Sequence, residues 1–167
     1  MEADWMGRYR PLVAALVLHS NIVNKASNER MDVGSGIMLT TQEWQTLECI
    51  IEHEDSYFSM IEIARQLGIP QSSFSRVVKA LHEYKLIAKY QVAGNKKNII
   101  LRPTGLGKKV YSSRSDDFIR GLFREFFKEL EPLSDEDLNL ITKAINNLTL
   151  GLPSAKDSQE VKLIEID

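Results

Sequence analysis

The segment from Ser59 to Lys85 constrains this chain most, because it fits two amphipathic helical periods around a joint of only Gly68, Ile69 and Pro70. Met60 to Leu67 reads as a short first helix, opened by Ser59 with Glu62 three residues on, so that the two side chains cap each other's first-turn N–H groups. Gly68 is placed to end it with a left-handed backbone turn. Phe74, Val77, Val78, Leu81 and Tyr84 then recur at spacings of three and four, which puts them on one face of a second helix stopping near Lys85. Ala64 permits the two helices to approach closely, and Ile69, Phe74 and Val77 supply their shared core.

That arrangement resembles a helix-turn-helix. On the opposite side of the second helix, Ser72, Ser75, Arg76 and Lys79 stand at i, i+3, i+4 and i+7 and share one polar face. Short hydroxyls let a backbone approach the floor of a DNA groove, arginine makes bidentate contacts to guanine, and lysine reaches phosphate. Gln71 and Ser73, in the first turn, complete the candidates on this helix. The competing reading is the solvated face of an unrelated amphipathic helix.

The charge pattern bears on that choice. The chain of 167 residues has a net charge of −2, yet residues 56–114 hold eleven Lys/Arg against two Asp/Glu, while acidic residues dominate both flanks. A basic middle between acidic ends suits a polyanion partner, with a solvated lysine-rich surface as the alternative. Leu86 to Val92 and Asn98 to Leu101 read as extended, with Ala93 to Lys97 as the turn of a hairpin. Lys89, Asn95, Lys96 and Lys97 are its candidate contacts to nucleic acid.

The remaining elements are helical. A first helix is expected from about Pro11 to Asn28, with Leu12, Leu16, Ile22 and Val23 returning to one side. Met31 to Gly36 reads as a loop, and Thr40 with Glu43 caps a helix carrying Trp44, Leu47, Ile50 and Ile51. Thr104 to Leu130, about 40 Å if wholly helical, bears Phe118, Leu122, Phe123, Phe126 and Leu130, with Gly105 and Gly107 weakening its start. Ser134 opens a last helix with Leu138, Ile141, Ile145 and Leu148 on one face. Residues 151–167 have no sustained period and read as a flexible tail, with an edge strand at Val161 to Ile166 as the lesser alternative.

Several function classes fall away. With 43% apolar and 26% charged residues the chain has the composition of an ordinary soluble protein. Its longest apolar run, Leu12 to Leu18, is far short of a membrane span, and no secretory signal is legible, so the expected location is cytoplasmic. Cys49 is the only cysteine, and His19, His53 and His82 are far apart, so neither a metal site nor a cofactor is expected. Cys49 lies beside Glu48 and Glu52, which disfavour a thiolate and argue for a buried or inert thiol rather than a redox sensor. No nucleophile elbow or phosphate-binding glycine loop is present, so an enzyme is not expected.

A hairpin directly after the second helix of a helix-turn-helix makes a winged helix, and over about residues 10–150 the chain resembles the MarR family of transcriptional regulators. Leu86-Ile87, the hairpin and Pro103-Thr104-Gly105-Leu106-Gly107 match the family's wing and the Thr-x-x-Gly that follows it. The resemblance implies a mainly α fold with a small β-hairpin wing. It places a winged helix-turn-helix lobe at residues 40–103 and a helical dimerisation lobe at 1–30 and 104–150. It further implies a homodimer on a pseudopalindromic double-stranded operator, repression, and a small-molecule effector, for which His19, Trp44 and Tyr57 are candidate lining residues beside the plainer reading of aromatics as core. Phe118, Phe123, Phe126 and Ile141 would supply apolar dimer surface, or else an intramolecular core.

Two departures from the family pattern stand out. Where the family often has Asp-Arg-Arg at the wing tip, this chain has Asn95-Lys96-Lys97, which implies weaker readout of groove shape and contact limited to phosphate. Pro70 stands where a capping serine is common and offers no side-chain cap. The alternatives to a specific regulator are a winged-helix module that binds an acidic protein and a nonspecific DNA binder.

Overall fold

The computed structural model describes residues 4–34, 36–92 and 95–150. The chain divides into two compact units, residues 1–115 and 116–167. After a 3-10 segment at Asp4–Tyr9 come α1 (Arg10–Ala26), β1 (Arg30–Asp32), β2 (Met38–Thr40), α2 (Thr41–Glu52), α3 (Met60–Gln66), α4 (Gln71–Glu83), β3 (Ile87–Val92), β4 (Asn95–Pro103), α5 (Gly105–Leu130) and α6 (Asp135–Leu150). This is the mainly helical fold with a hairpin wing that the sequence implies. The segment 151–167, including the suggested edge strand, lies outside the described residues.

The core of the first unit is built from α2, α3, α4 and the base of the β3–β4 hairpin. Leu39, Leu47, Ile50, Ile63, Phe74, Val78, Leu81, Leu86 and Ile87 are all at most 2% exposed. Both expected capping boxes are present. Thr40 and Ser59 accept the N–H of Glu43 and Glu62, whose carboxylates accept the N–H of Thr40 (2.8 Å) and Ser59 (2.7 Å) in return. The Ser59 hydroxyl also donates to Glu62 at 2.6 Å, and these two bonds hold the Glu62 carboxyl below its ordinary range.

Gly68 closes α3 with φ +64°, while Gly68 N–H donates to Arg65 and Ile69 N–H to Ala64, so the carbonyls of the last turn are satisfied as the chain reverses. The same pair of bonds recurs at the end of α4, from Lys85 to His82 and from Leu86 to Leu81. There the left-handed residue is Lys85, with φ +59°.

The structure corrects the reading of residues 31–36 as a loop at its first two positions, Met31 and Asp32. Arg30–Asp32 pairs antiparallel with Met38–Thr40 in a small sheet. Its support is tertiary: the Arg30 guanidinium donates to the Met38 carbonyl (2.7 Å) and to the buried Glu43 carboxylate on α2 (3.4 Å). A second correction concerns the wing, where Asn95–Lys97 begin β4 rather than forming the turn, with Val92 opposite Asn95. Ala93 and Gly94 lie outside the described residues. Beside the wing, Ser59 makes a single antiparallel bridge to Ile100, so the entry to α3 forms a third, minimal strand.

Thr104 joins the wing to α5. Its N–H donates to the Leu86 carbonyl, its hydroxyl lies 2.6 Å from the Lys85 carbonyl and 3.2 Å from that of Leu86, and it accepts the N–H of Gly107 at 3.0 Å. The helix therefore starts with a side-chain cap that also holds the turn before the wing.

Apolar stripes on the remaining helices are left uncovered. No residue of α1 is buried, and Leu12, Ile22 and Val23 are exposed. In the second unit α6 has no buried residue either, and Ser134 caps it reciprocally with Asp137, whose carboxyl the two bonds hold below its ordinary range. Phe123, Phe126 and Phe127 touch one another yet remain exposed, as does Ile141. The side chains of Phe118 and Leu122 lie outside the described residues. Among the described residues no helix is long and apolar enough to cross a membrane.

Candidate nucleic-acid interface

The two faces of α4 separate cleanly. Phe74, Val77, Val78 and Leu81 are buried against the core, while Gln71, Ser72, Ser75, Arg76 and Lys79 are exposed and Ser73 is half-buried. The i, i+3, i+4, i+7 spacing thus brings Ser72, Ser75, Arg76 and Lys79 onto one solvent-facing strip. Pro70 gives α4 no side-chain cap; its carbonyl accepts the N–H groups of Ser73 and Phe74. The first-turn amides of Gln71 and Ser72 form the positive end of the helix dipole, an environment suited to phosphate oxygens.

Side-chain partners modulate this strip only lightly. Ser75 donates back to the Gln71 carbonyl at 3.2 Å, and Lys79 lies 3.8 Å from Glu83 in an exposed i, i+4 pair. A pair so exposed contributes a few tenths of a kcal/mol and yields readily to a phosphate. Arg76 has no carboxylate partner among the described residues.

Lys89 is exposed on β3, which follows α4 after three residues. The backbone of Asn95, Lys96 and Lys97 is placed at the far end of β4, and their side chains lie outside the described residues. Helix strip and wing are therefore parts of one unit.

No hydrogen bond or ring contact joins the three candidate effector residues among the described residues. Trp44 is buried in α2 and stacks on Tyr111 with centroids 5.5 Å apart, while its indole N–H has no partner among the described residues. Tyr57 is 79% exposed, against the reading of it as core, and His19 is exposed on α1. A cleft of about 350 Å3 near α2 and the end of α3 is lined by Gln45, Glu48, Cys49, Glu52, Gln66 and Leu67, and by none of the three.

Cys49 is buried, 3.8 Å from Nδ1 of His53. Burial first, and then the carboxylates of Glu52 and Glu48, push its thiol above the ordinary value. Both the burial and the neighbouring carboxylates agree with the reading of Cys49 as a buried or inert thiol. Cys49 is expected to resist iodoacetamide in the native protein at neutral pH and to react once the chain is unfolded in denaturant; rapid native alkylation would contradict this. No group of three or more potential ligands for a metal ion occurs among the described residues.

Sequence reasoning overlooked Arg102. It lies on β4 opposite Ala88, donates from Nη1 to the His53 carbonyl at 3.5 Å, and sits over the Tyr57 ring, 5.5 Å from its centroid. No local pattern could have paired it with positions so distant in the chain.

Residues 39–97 match the model of the MarR family. No curated protein matches the chain. Among solved structures, the transcriptional regulator BldR from Sulfolobus solfataricus is 16% identical with a TM-score of 0.63, covering 88% of this chain and 99% of its own. The S. aureus MepR–DNA complex is 18% identical with a TM-score of 0.59, covering 82% of this chain and 94% of its own. The PcaV regulator from Streptomyces coelicolor, in complex with its natural ligand, is 15% identical with a TM-score of 0.59, covering 90% and 97%. At these identities the likeness is one of fold.

Proposed function

We propose that the chain is a MarR-family winged-helix transcriptional regulator, and that it binds double-stranded DNA sequence-specifically, as a homodimeric repressor modulated by a small ligand. The observation that carries this reading is the exposed strip of α4, with Ser72, Ser75, Arg76 and Lys79 presented by a buried apolar face and flanked by a wing within the most basic stretch of the chain. The solved S. aureus MepR–DNA complex, which shares the fold, supports the choice of partner. In this reading Arg76 reads a base edge, while Gln71, Ser72, Ser73, Ser75 and Lys79 seat the helix in the major groove. Lys89, Asn95, Lys96 and Lys97 hold phosphate at the wing.

The homodimer is supported by the uncovered apolar stripes of α1, α6 and the Phe123–Phe126–Phe127 cluster, surface that a lone chain would leave in water. On this basis residues 1–30 and 104–150 form the dimerisation lobe and 40–103 the DNA-binding lobe. Light scattering of the purified protein is expected to give twice the chain mass. Two-fold symmetry then calls for half-sites about one helical turn apart. Effector control is supported by the solved PcaV complex with its natural ligand, and repression by the family's habit.

The test is an anisotropy titration of the protein against the DNA upstream of its own gene and against an unrelated duplex, each at several salt concentrations. Preference for the upstream fragment is the expected result. Equal, salt-sensitive binding to both would favour nonspecific attachment, and no binding at low salt would favour an acidic protein partner. Arg76→Ala is expected to cost about 1 to 3 kcal/mol on the preferred site and to relax base preference, whereas Lys97→Ala weakens all duplexes alike and flattens the salt slope by about one. Equal loss on preferred and random DNA for Arg76→Ala would remove its assigned role.

A further inference from the structure

We infer that Arg102 is a positioning residue for the wing: it clamps β4 to the connection between α2 and α3 and so sets the angle at which the hairpin leaves the domain. A two-stranded hairpin is marginal on its own, so its direction depends on what holds its base. Here the base is held by buried Ile100 and Leu101 and by the single bridge between Ile100 and Ser59. Two residues further in each direction, the register of that bridge carries Arg102 toward Tyr57, and the guanidinium lies over the Tyr57 ring.

The receiving side is rigid. His53, whose carbonyl accepts from Arg102, has its ring stacked on Phe58 at 4.5 Å and its Nδ1 2.9 Å from the Cys49 carbonyl. The same His53 carbonyl accepts the N–H and hydroxyl of Ser56, which fixes the turn that presents Tyr57. Arg102 thus ties the wing to an end of α2 that is itself held by these contacts.

The chemistry of the clamp is selective. A planar guanidinium covers an aromatic ring and directs an N–H at a carbonyl in one geometry, which an ammonium on a flexible stem does not reproduce. No carboxylate pairs with Arg102 among the described residues, so the clamp leaves its positive charge intact beside a wing read as a phosphate contact. Arg102→Lys therefore keeps the charge and removes the geometry.

The consequence for DNA rests on the reading of the wing as a contact, and the experiment has one readout that does not. Amide hydrogen exchange of the free protein is measured along β3 and β4 for Arg102→Lys, Tyr57→Ala and Tyr57→Phe. Arg102→Lys and Tyr57→Ala are expected to speed exchange there by about two- to fivefold, with Tyr57→Phe and the α4 amides unchanged. Unchanged wing exchange in Arg102→Lys, or loss in Tyr57→Phe equal to that in Tyr57→Ala, would overturn the clamp.

The second readout is DNA affinity in the presence and absence of Lys97. Arg102→Lys is expected to weaken binding by a similar factor with Lys97 and by much less in Lys97→Ala, because both act through the wing. Equal loss in both backgrounds, or no loss in either, would show that wing angle is immaterial to binding and would overturn the inference. A wild-type protein that binds no duplex would refute the DNA reading itself, while the exchange data still judge the clamp.

Discussion

Gly107→Ala is expected to destabilise the winged helix by about 3 kcal/mol or more, while Gly105→Ala, two residues earlier in α5, leaves stability within about 1 kcal/mol. A Cβ on Gly107 would stand 2.1 Å from the Leu86 carbonyl oxygen and 3.1 Å from its carbon. Those are backbone atoms, and the oxygen already accepts the Thr104 N–H. It cannot withdraw without disturbing the left-handed turn at Lys85 and the start of the wing. Around Gly105 nothing lies within 4 Å. For a unit of this size the difference corresponds to a thermal midpoint lowered by about 15 °C in one variant and almost unmoved in the other. Closely matching melts would mean that the Leu86 backbone yields freely and that the close approach is not what requires glycine.

That contrast separates what was legible in the sequence from what was not. The Thr-x-x-Gly pattern is visible in the chain, but local propensity reads both glycines only as weak points in a helix. The close approach that gives Gly107 its role comes from Leu86, about twenty residues away. Lys85 is a similar case: the bonds that end α4 repeat those around Gly68, but lysine carries no signal for a left-handed turn. The caps at Thr40, Ser59 and Ser134 were legible because each involves partners three residues apart. The β1–β2 sheet was not, since its strands are three residues long and its fastening, Arg30 to Glu43, is tertiary.

The candidate interface divides in the same way. Helical period alone separates Phe74, Val77, Val78 and Leu81 from Ser72, Ser75, Arg76 and Lys79, and the burial pattern of α4 follows that division. Period does not tell one aromatic from another. Trp44 lies on the inner stripe of α2 and is buried, whereas Tyr57, outside any helix, stands in solvent under Arg102.

The two faces of α4 therefore predict two separable losses. Phe74 is wholly buried, and Phe74→Ala is expected to cost about 3 to 5 kcal/mol through lost burial and the cavity left behind. Against a total of about 5 to 15 kcal/mol, that brings the unit close to its unfolding threshold. DNA binding by Phe74→Ala should fall with the folded fraction and recover on moderate cooling or on adding an osmolyte that favours the compact state. Arg76→Ala should behave in the opposite way. Its melting curve stays within about 0.5 kcal/mol of wild type, because the side chain is exposed and has no carboxylate partner among the described residues, and its binding defect persists under every condition that keeps the protein folded. A Phe74→Ala variant that melts like wild type would mean that α4 is not anchored through this ring. The rigid presentation of Ser72, Ser75, Arg76 and Lys79 would then have to come from the turns at Gly68 and Lys85 alone.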